Sequence, residues 1–402
     1  MSKYKLVMLA GIGAAILLWA PKPSHAVASW ARKYNASCSM CHRPAPPRLS
    51  FFGHQFRKRG YRLPDEVGQK PEWRTVGNYV SMRNRFSFDY SKVEGWETTD
   101  QFTFDDATLF FSGPITPNLS AFVELERGGE GDEGVEAQVS GRWTKGDVPK
   151  YYALRWGQMH TLPEVGWAGF DRPTAITGSW LLGRRMTTAS PFVIGMDQRG
   201  LEFQHSVGPR GRIVGQVLNG MNPGSDEIEG SDDTQKDVLV AWEQAFDEQG
   251  SGLTLFGYRG SWVSWFGWPG PRDAFTRFAL TGDLFRNLFN PKHLTEIQVG
   301  FGLGKDDGGP EGKIRGRAWY LDVEQYLAHN SAIFARYDDL DPDRSVSGNT
   351  EHRLTLGAVR SVNDHLRLAI ELASEKTLVP VSLDGPIRWT ARSAVIEAMI
   401  NF

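Results

Sequence analysis

The clearest chemistry in this chain lies in two thiols and an imidazole set close together, Cys38-Ser39-Met40-Cys41-His42. In a C-x-x-C-H run the two sulfurs reach the two vinyl groups on one edge of a haem, and the adjacent His swings its ring under the iron as proximal ligand. The motif occurs once, so one covalent haem c is expected on Cys38 and Cys41, with His42 on the iron. Two other readings use the same residues. A structural zinc site needs two further thiolate or imidazole ligands at close spacing, and none follow. A redox dithiol of the thioredoxin kind needs a βαβ setting, which the flanking sequence lacks. With two cysteines in the whole chain, no disulfide framework is available.

The segment that carries the motif is small. Leu49, Phe52 and Phe56 share one helical face and Gly60 stands at the stop position, so a short helix is expected to cover the haem. From Trp30 to Pro64 there are about 35 residues, fewer than the ~40 below which isolated domains rarely fold unaided. Ahead of it, Lys3 and Lys5 followed by the apolar run Leu6 to Ala20 read as an export signal, with cleavage after Ala26 or Ala28. The run is shorter than the ~20 residues a helix needs to cross a bilayer. The chain thus divides into a signal peptide (1–26), a c-type cytochrome segment (27–72) and the remainder (73–402).

That remainder changes period. Val76, Asn78, Val80, Met82, Asn84, Phe86, Phe88 and Tyr90 form a mostly apolar parity against Ser81, Arg83, Arg85, Ser87 and Asp89, and Ala394, Ile396, Ala398, Ile400 and Phe402 alternate with Ser393, Val395, Glu397 and Asn401. Alternation marks strands with one apolar and one polar face. About sixteen such segments follow one another, the first expected over 74–90 and the last over 391–402. Short turns such as 113–118, 208–211, 247–250 and 361–364 alternate with longer, acidic, Gly-rich links around Glu94, 130–133, 225–233, 305–312 and 338–343. Separation of connection lengths by parity is the habit of an outer-membrane barrel, with turns in the periplasm and loops outside. The fold expected is therefore all-β: a transmembrane barrel of about sixteen antiparallel strands, with the small helical haem segment plugging its lumen.

Composition agrees with this reading. A mean hydropathy of −0.38 beside 14 Trp and 12% aromatic residues suits a polar lumen inside an apolar wall with aromatic girdles. A net charge of −2 excludes the basic footprint of a general nucleic-acid binder. The terminal Phe402 is similar to the closing aromatic that the barrel assembly machinery reads in bacterial outer-membrane proteins.

A haem segment followed by such a barrel resembles the fused outer-membrane monohaem cytochrome-porins, the iron oxidases of iron-oxidising bacteria. The likeness is specific in sequence at Ala31-Arg32-Lys33-Tyr34-Asn35, at the haem motif and at Gly60-Tyr61; Lys33 stands where the family has Gln. The resemblance implies Fe(II) oxidation outside the cell, electrons passing to a periplasmic cytochrome c, and a haem on the periplasmic side or in the lumen. Other extracellular electron donors, or a diffusion porin with a structural haem plug, fit the same architecture.

The distal iron ligand is open at this level, with Met159, His160 and His54 as candidates. Met186 and Met196 fall in the longest loop, which is placed to fold inward, and Met82 falls on the lipid parity. Acidic groups at Asp226, Glu227, Asp232, Asp233 and at Asp338, Asp339, Asp341 read as solvated loops with some capacity to attract Fe(II). Trp262, Trp265, Phe266 and Trp268 read as an interface girdle or a rim cluster.

Overall fold

A computed structural model describes residues 29–402 apart from 45, 74, 129–135, 161–173, 221–234, 264–271, 308–311, 329 and 381–385. The expected signal peptide and the acidic run 226–233 lie outside these residues, as do Trp265, Phe266 and Trp268.

Sixteen antiparallel strands close into one barrel, each paired with its chain neighbours and β1 (Val80–Val93) sealed against β16 (Pro386–Asn401) from Arg83↔Asn401 to Val93↔Ala391. Closure leaves no strand edge unsatisfied, the condition for a sheet in lipid. The wall is inside-out relative to a soluble protein. Along β6 (Asp197–Val207) and β7 (Gly211–Leu218), Leu201, Phe203, Ile213 and Val217 are exposed outward, while Glu202, Gln204, Arg212 and Gln216 are buried inside. Met82 lies between Ser81 and Arg83, which face inward, so it takes the outward parity expected of it.

The ends of β1 and β16 meet on the rim that carries the short turns, such as 208–210 and 362–365. The opposite rim carries most of the longer connections, with short links at 94–97 and between Pro380 and Pro386. Two expectations are corrected. The first strand begins at Val80 and not at Arg74, because Val76–Asn78 forms a 3-10 turn whose neighbouring Gly77 and Val80 carbonyls accept from the Arg32 guanidinium. Asp338, Asp339 and Asp341 lie in strand β13 (Ser331–Asp341), not in a loop, and the fully buried Asp338 accepts from Arg336 and Arg353, both at 3.1 Å.

The lumen is filled from both rims. From the short-turn side enter α1 (Ser29–Tyr34) and α2 (Phe51–Lys58). Arg48 meets Asp283 at 3.0 Å and also Glu296, Lys58 meets Glu243 at 2.8 Å, and the Arg142 guanidinium donates to the Lys58 carbonyl at 3.0 Å. These partners sit on the inner wall, so the N-terminal segment is a plug. From the other side the described part of the link between β5 (Tyr152–His160) and β6, residues 174–196, turns inward as its length suggested. Glu371 accepts from the Ile176 and Thr177 amides, both at 3.0 Å. Trp180 opens a short helix, α3 (Trp180–Gly183), and donates its amide to Asp338 at 2.9 Å. Leu181, Met186, Phe192 and Ile194 then pack on Val214, Phe256, Tyr258 and Phe275 in an apolar core, and Trp262 borders it. Trp30 and Trp180 therefore serve the interior, not the interface.

Candidate functional site

The C-x-x-C-H residues wind into a single turn. Cys38–Met40 is a 3-10 turn capped by the Ser37 hydroxyl, and the Cys41 and His42 amides both donate to the Cys38 carbonyl at 3.1 and 2.9 Å. A small ladder then clamps the motif: Arg43 N–H donates to the Arg48 carbonyl at 3.0 Å and Ser50 N–H to the Cys41 carbonyl at 2.8 Å. Ser50 also caps α2, accepting from the Gly53 amide at 3.2 Å while donating to the Met40 carbonyl at 3.0 Å. Gly53 is required here, since a Cβ would collide with the Cys41 carbonyl oxygen. The His42 Nδ1 lies 3.2 Å from the Arg48 carbonyl oxygen. A carbonyl only accepts, so Nδ1 carries the proton and Nε2 is the basic nitrogen, the arrangement that orients a metal-bound imidazole.

Cys38, Cys41 and His42 line one cavity between plug and wall. On the plug side Leu49, Gly53, Phe56 and Arg57 present one face of α2, with Trp30 and Tyr61 beside them. Of the expected face, Leu49 and Phe56 line the cavity, while Phe52 faces another cleft and Gly53 packs under the motif in its place. Gly60 does end the helix in the left-handed region (φ 69°), and Tyr61 follows it at φ 63°. That conformation costs a non-glycine residue about 1–2 kcal/mol; stacking of the Tyr61 ring on Trp30 (4.9 Å) and Phe122 (6.0 Å) offsets it. On the wall side the cavity is bounded by Ser81 and Arg83 of β1, Phe110 of β2 (Thr98–Pro114), Phe122 of β3 (Leu119–Gly128), Gln138 of β4 (Glu136–Lys145), Arg155 of β5 and Met399 of β16.

These residues fit a c-type haem. Two thiols and an imidazole stand on the cavity's plug side, aromatic and aliphatic faces make up much of the rest, and Arg57, Arg83 and Arg155 supply cationic groups suited to its two carboxylates. The buried Trp30 Nε1 has no hydrogen-bond partner among the described residues, an orphan donor that such a carboxylate would satisfy. Burial pushes the Cys41 thiol up to about 11, and burial with the Asp364 carboxylate pushes Cys38 up to about 12. A redox dithiol works through a lowered thiol pKa, so these environments argue for the haem reading over the dithiol. Among the described residues no group of three or more His, Cys, Asp or Glu side chains is placed to hold a metal ion.

The proposed distal ligands are not gathered here. His54 is buried on α2 but lies outside the cavity lining, and burial together with Arg57, Lys58, Arg48 and Arg212 drives its pKa well down. Met159 faces the lumen, yet it lies four residues beyond Arg155 along β5, about 13 Å at strand rise. His160 ends β5 and its side chain lies outside the described residues. Met186 is buried in the apolar core of the inward segment, away from the motif. Met399 escaped the sequence reading, although it shares the lumen parity of Glu397 and Asn401. Lys33, where the resemblance implies Gln, ties the plug together by donating to Glu66 at 3.0 Å and to the Tyr34 hydroxyl at 2.6 Å.

No protein-family model matches the chain, and no curated protein matches it. Solved structures do resemble it in fold. The anion-selective porin from Comamonas acidovorans superposes with a TM-score of 0.56 at 12% identity, over 80% of this chain and 98% of that one. The outer membrane channel DcaP of Acinetobacter baumannii gives 0.56 at 10% identity, over 80% and 97%. OprB of Pseudomonas putida gives 0.56 at 10% identity, over 80% and 94%. The chain has the fold of these porins, a closed sixteen-stranded barrel with an apolar outer wall.

Proposed function

We propose that this chain is an outer-membrane electron-transfer protein carrying one haem c on Cys38 and Cys41 with His42 as proximal ligand. The observation that carries the reading is the cavity in which both motif cysteines and the Nδ1-anchored His42 face an arc of barrel wall. When bound, the haem supplies one-electron chemistry. The chain's own residues anchor it, orient the imidazole, neutralise its carboxylates and wall it off from bulk water. The donor is extracellular, Fe(II) by the resemblance, and the acceptor is a periplasmic cytochrome c. The plug enters from the short-turn rim, the periplasmic one in such barrels.

The test is expression with a c-type maturation system, haem staining after denaturing electrophoresis, and stopped-flow mixing with Fe(II). A haem-stained band of the full chain that vanishes in Cys38→Ala, and haem reduction by Fe(II), are the expected results. A haem that stays oxidised in excess Fe(II) removes iron as donor, and a band that survives Cys38→Ala removes the attachment.

A second reading, a diffusion porin with a structural plug, is favoured by the likeness of the barrel to porins. Liposome swelling separates the two: passage of small sugars at porin-like rates supports it. The gathering of Cys38, Cys41 and His42 at one cavity weighs for the first reading.

A further inference from the structure

Resting on the haem reading above, we propose that Met399 is the distal axial ligand, completing on the barrel wall a coordination that His42 begins on the plug. Met399 is 3% exposed on the last strand and borders the same cavity as Cys38, Cys41 and His42. Its neighbours in parity are Glu397, bonded inside the lumen to Arg367, and Asn401, which also lines the cavity, whereas Ile400 points outward.

The donor set narrows the choice. Beside the motif, the cavity presents arginines, serines, amides and aromatic rings, and Met399 is its one thioether among the described residues. Arginine stays protonated and does not ligate. Met40 sits on the backbone between the two attachment points, at the haem edge by construction, and lies outside this cavity. Tyr61 lines it, but its ring is held in the stack with Trp30 and Phe122.

The setting also suits the task. Met399 lies on a strand hydrogen-bonded on both sides, in register with Arg85 and Arg367, and ligands on strands are held more precisely than ligands on loops. A methionine ligand raises a haem potential relative to histidine.

The experiment uses the full-length haem-loaded protein, wild type against Met399→Leu and Met399→His, read by ferric absorption, potentiometry and carbon monoxide binding to the reduced haem. Expected for the wild type are the weak far-red sulfur-to-iron band and slow carbon monoxide binding. Leucine, a near-isosteric change, is expected to abolish the band, lower the potential and speed carbon monoxide binding roughly tenfold or more by opening the distal position. Histidine is expected to restore a six-coordinate low-spin haem at a lower potential without the band. Covalent haem whose band is missing in the wild type, or persists in Met399→Leu, overturns the ligand assignment alone. Lack of covalent haem in the wild type overturns the reading beneath it, and this one with it.

Discussion

The Arg48 carbonyl oxygen holds the His42 ring through Nδ1 at 3.2 Å, and the same residue's guanidinium reaches the barrel wall at Asp283 and Glu296. One residue therefore sets both the imidazole orientation and the seat of the plug. Replacing Arg48 by Met leaves two buried carboxylates without their cation, a loss of about 3–5 kcal/mol for breaking a buried pair. The expected outcome is faster hydrogen exchange and protease cleavage across residues 29–62 with the barrel still folded, partly reversed by adding Glu296→Gln. Unchanged protection of the plug would count against this role.

His54 makes the plug sensitive to acid. Burial and the surrounding Arg57, Lys58, Arg48 and Arg212 keep its folded pKa well below the ordinary value. The unfolded segment binds the proton first, so plug stability is full above about pH 6.5 and declines as pH falls toward the folded pKa. The slope is at most about 1.4 kcal/mol per pH unit for one proton. Hydrogen exchange of α2 between pH 7 and 5 should show this loosening, and His54→Gln should flatten it; an equal slope in both proteins would assign the effect elsewhere.

Gly53→Ala tests the packing of α2 on the motif. The added methyl meets the Cys41 carbonyl oxygen, which is backbone and cannot turn aside. Overpacking of this kind costs about 1–3 kcal/mol, and because it displaces the attachment turn, the expected readout is a reduced ratio of stained haem to folded barrel. A normal ratio would show that the turn yields without consequence.

The inward segment is expected to limit passage through the lumen. Glu371 holds Ile176 and Thr177 by three hydrogen bonds, and Asp338 holds Trp180. Single-channel recording is expected to show low conductance for the wild type and higher, noisier conductance for Glu371→Ala combined with Asp338→Ala. Equal conductance would mean that the segment does not limit flow.

Much of this was readable from residues alone, for physical reasons that differ by element. Cys38, Cys41 and His42 are adjacent in sequence, so their meeting at one cavity could be read directly, while the haem they would carry is part of the proposed function. Strand parity is likewise local, and Leu201 against Glu202 or Ile400 against Asn401 reads directly. The misreadings fall where tertiary partners override local pattern. Residues 74–79 alternate like a strand, but Arg32 takes their carbonyls. Tyr337-Asp338-Asp339-Leu340 has no clean alternation and looks like a loop, yet Asp338 is bound by lumen arginines. Phe52 fits the helical wheel as well as Gly53 does; only the backbone of Cys41 decides between them. Met399 was hidden because its proximity to His42 exists only through barrel closure.

The seam between β1 and β16 has a consequence for timing. The cavity's wall draws on the first five strands and on the last, so it is complete only once β16 has docked on β1. Until then the plug faces a pocket with one side absent, and closure of the barrel and completion of the pocket are one event.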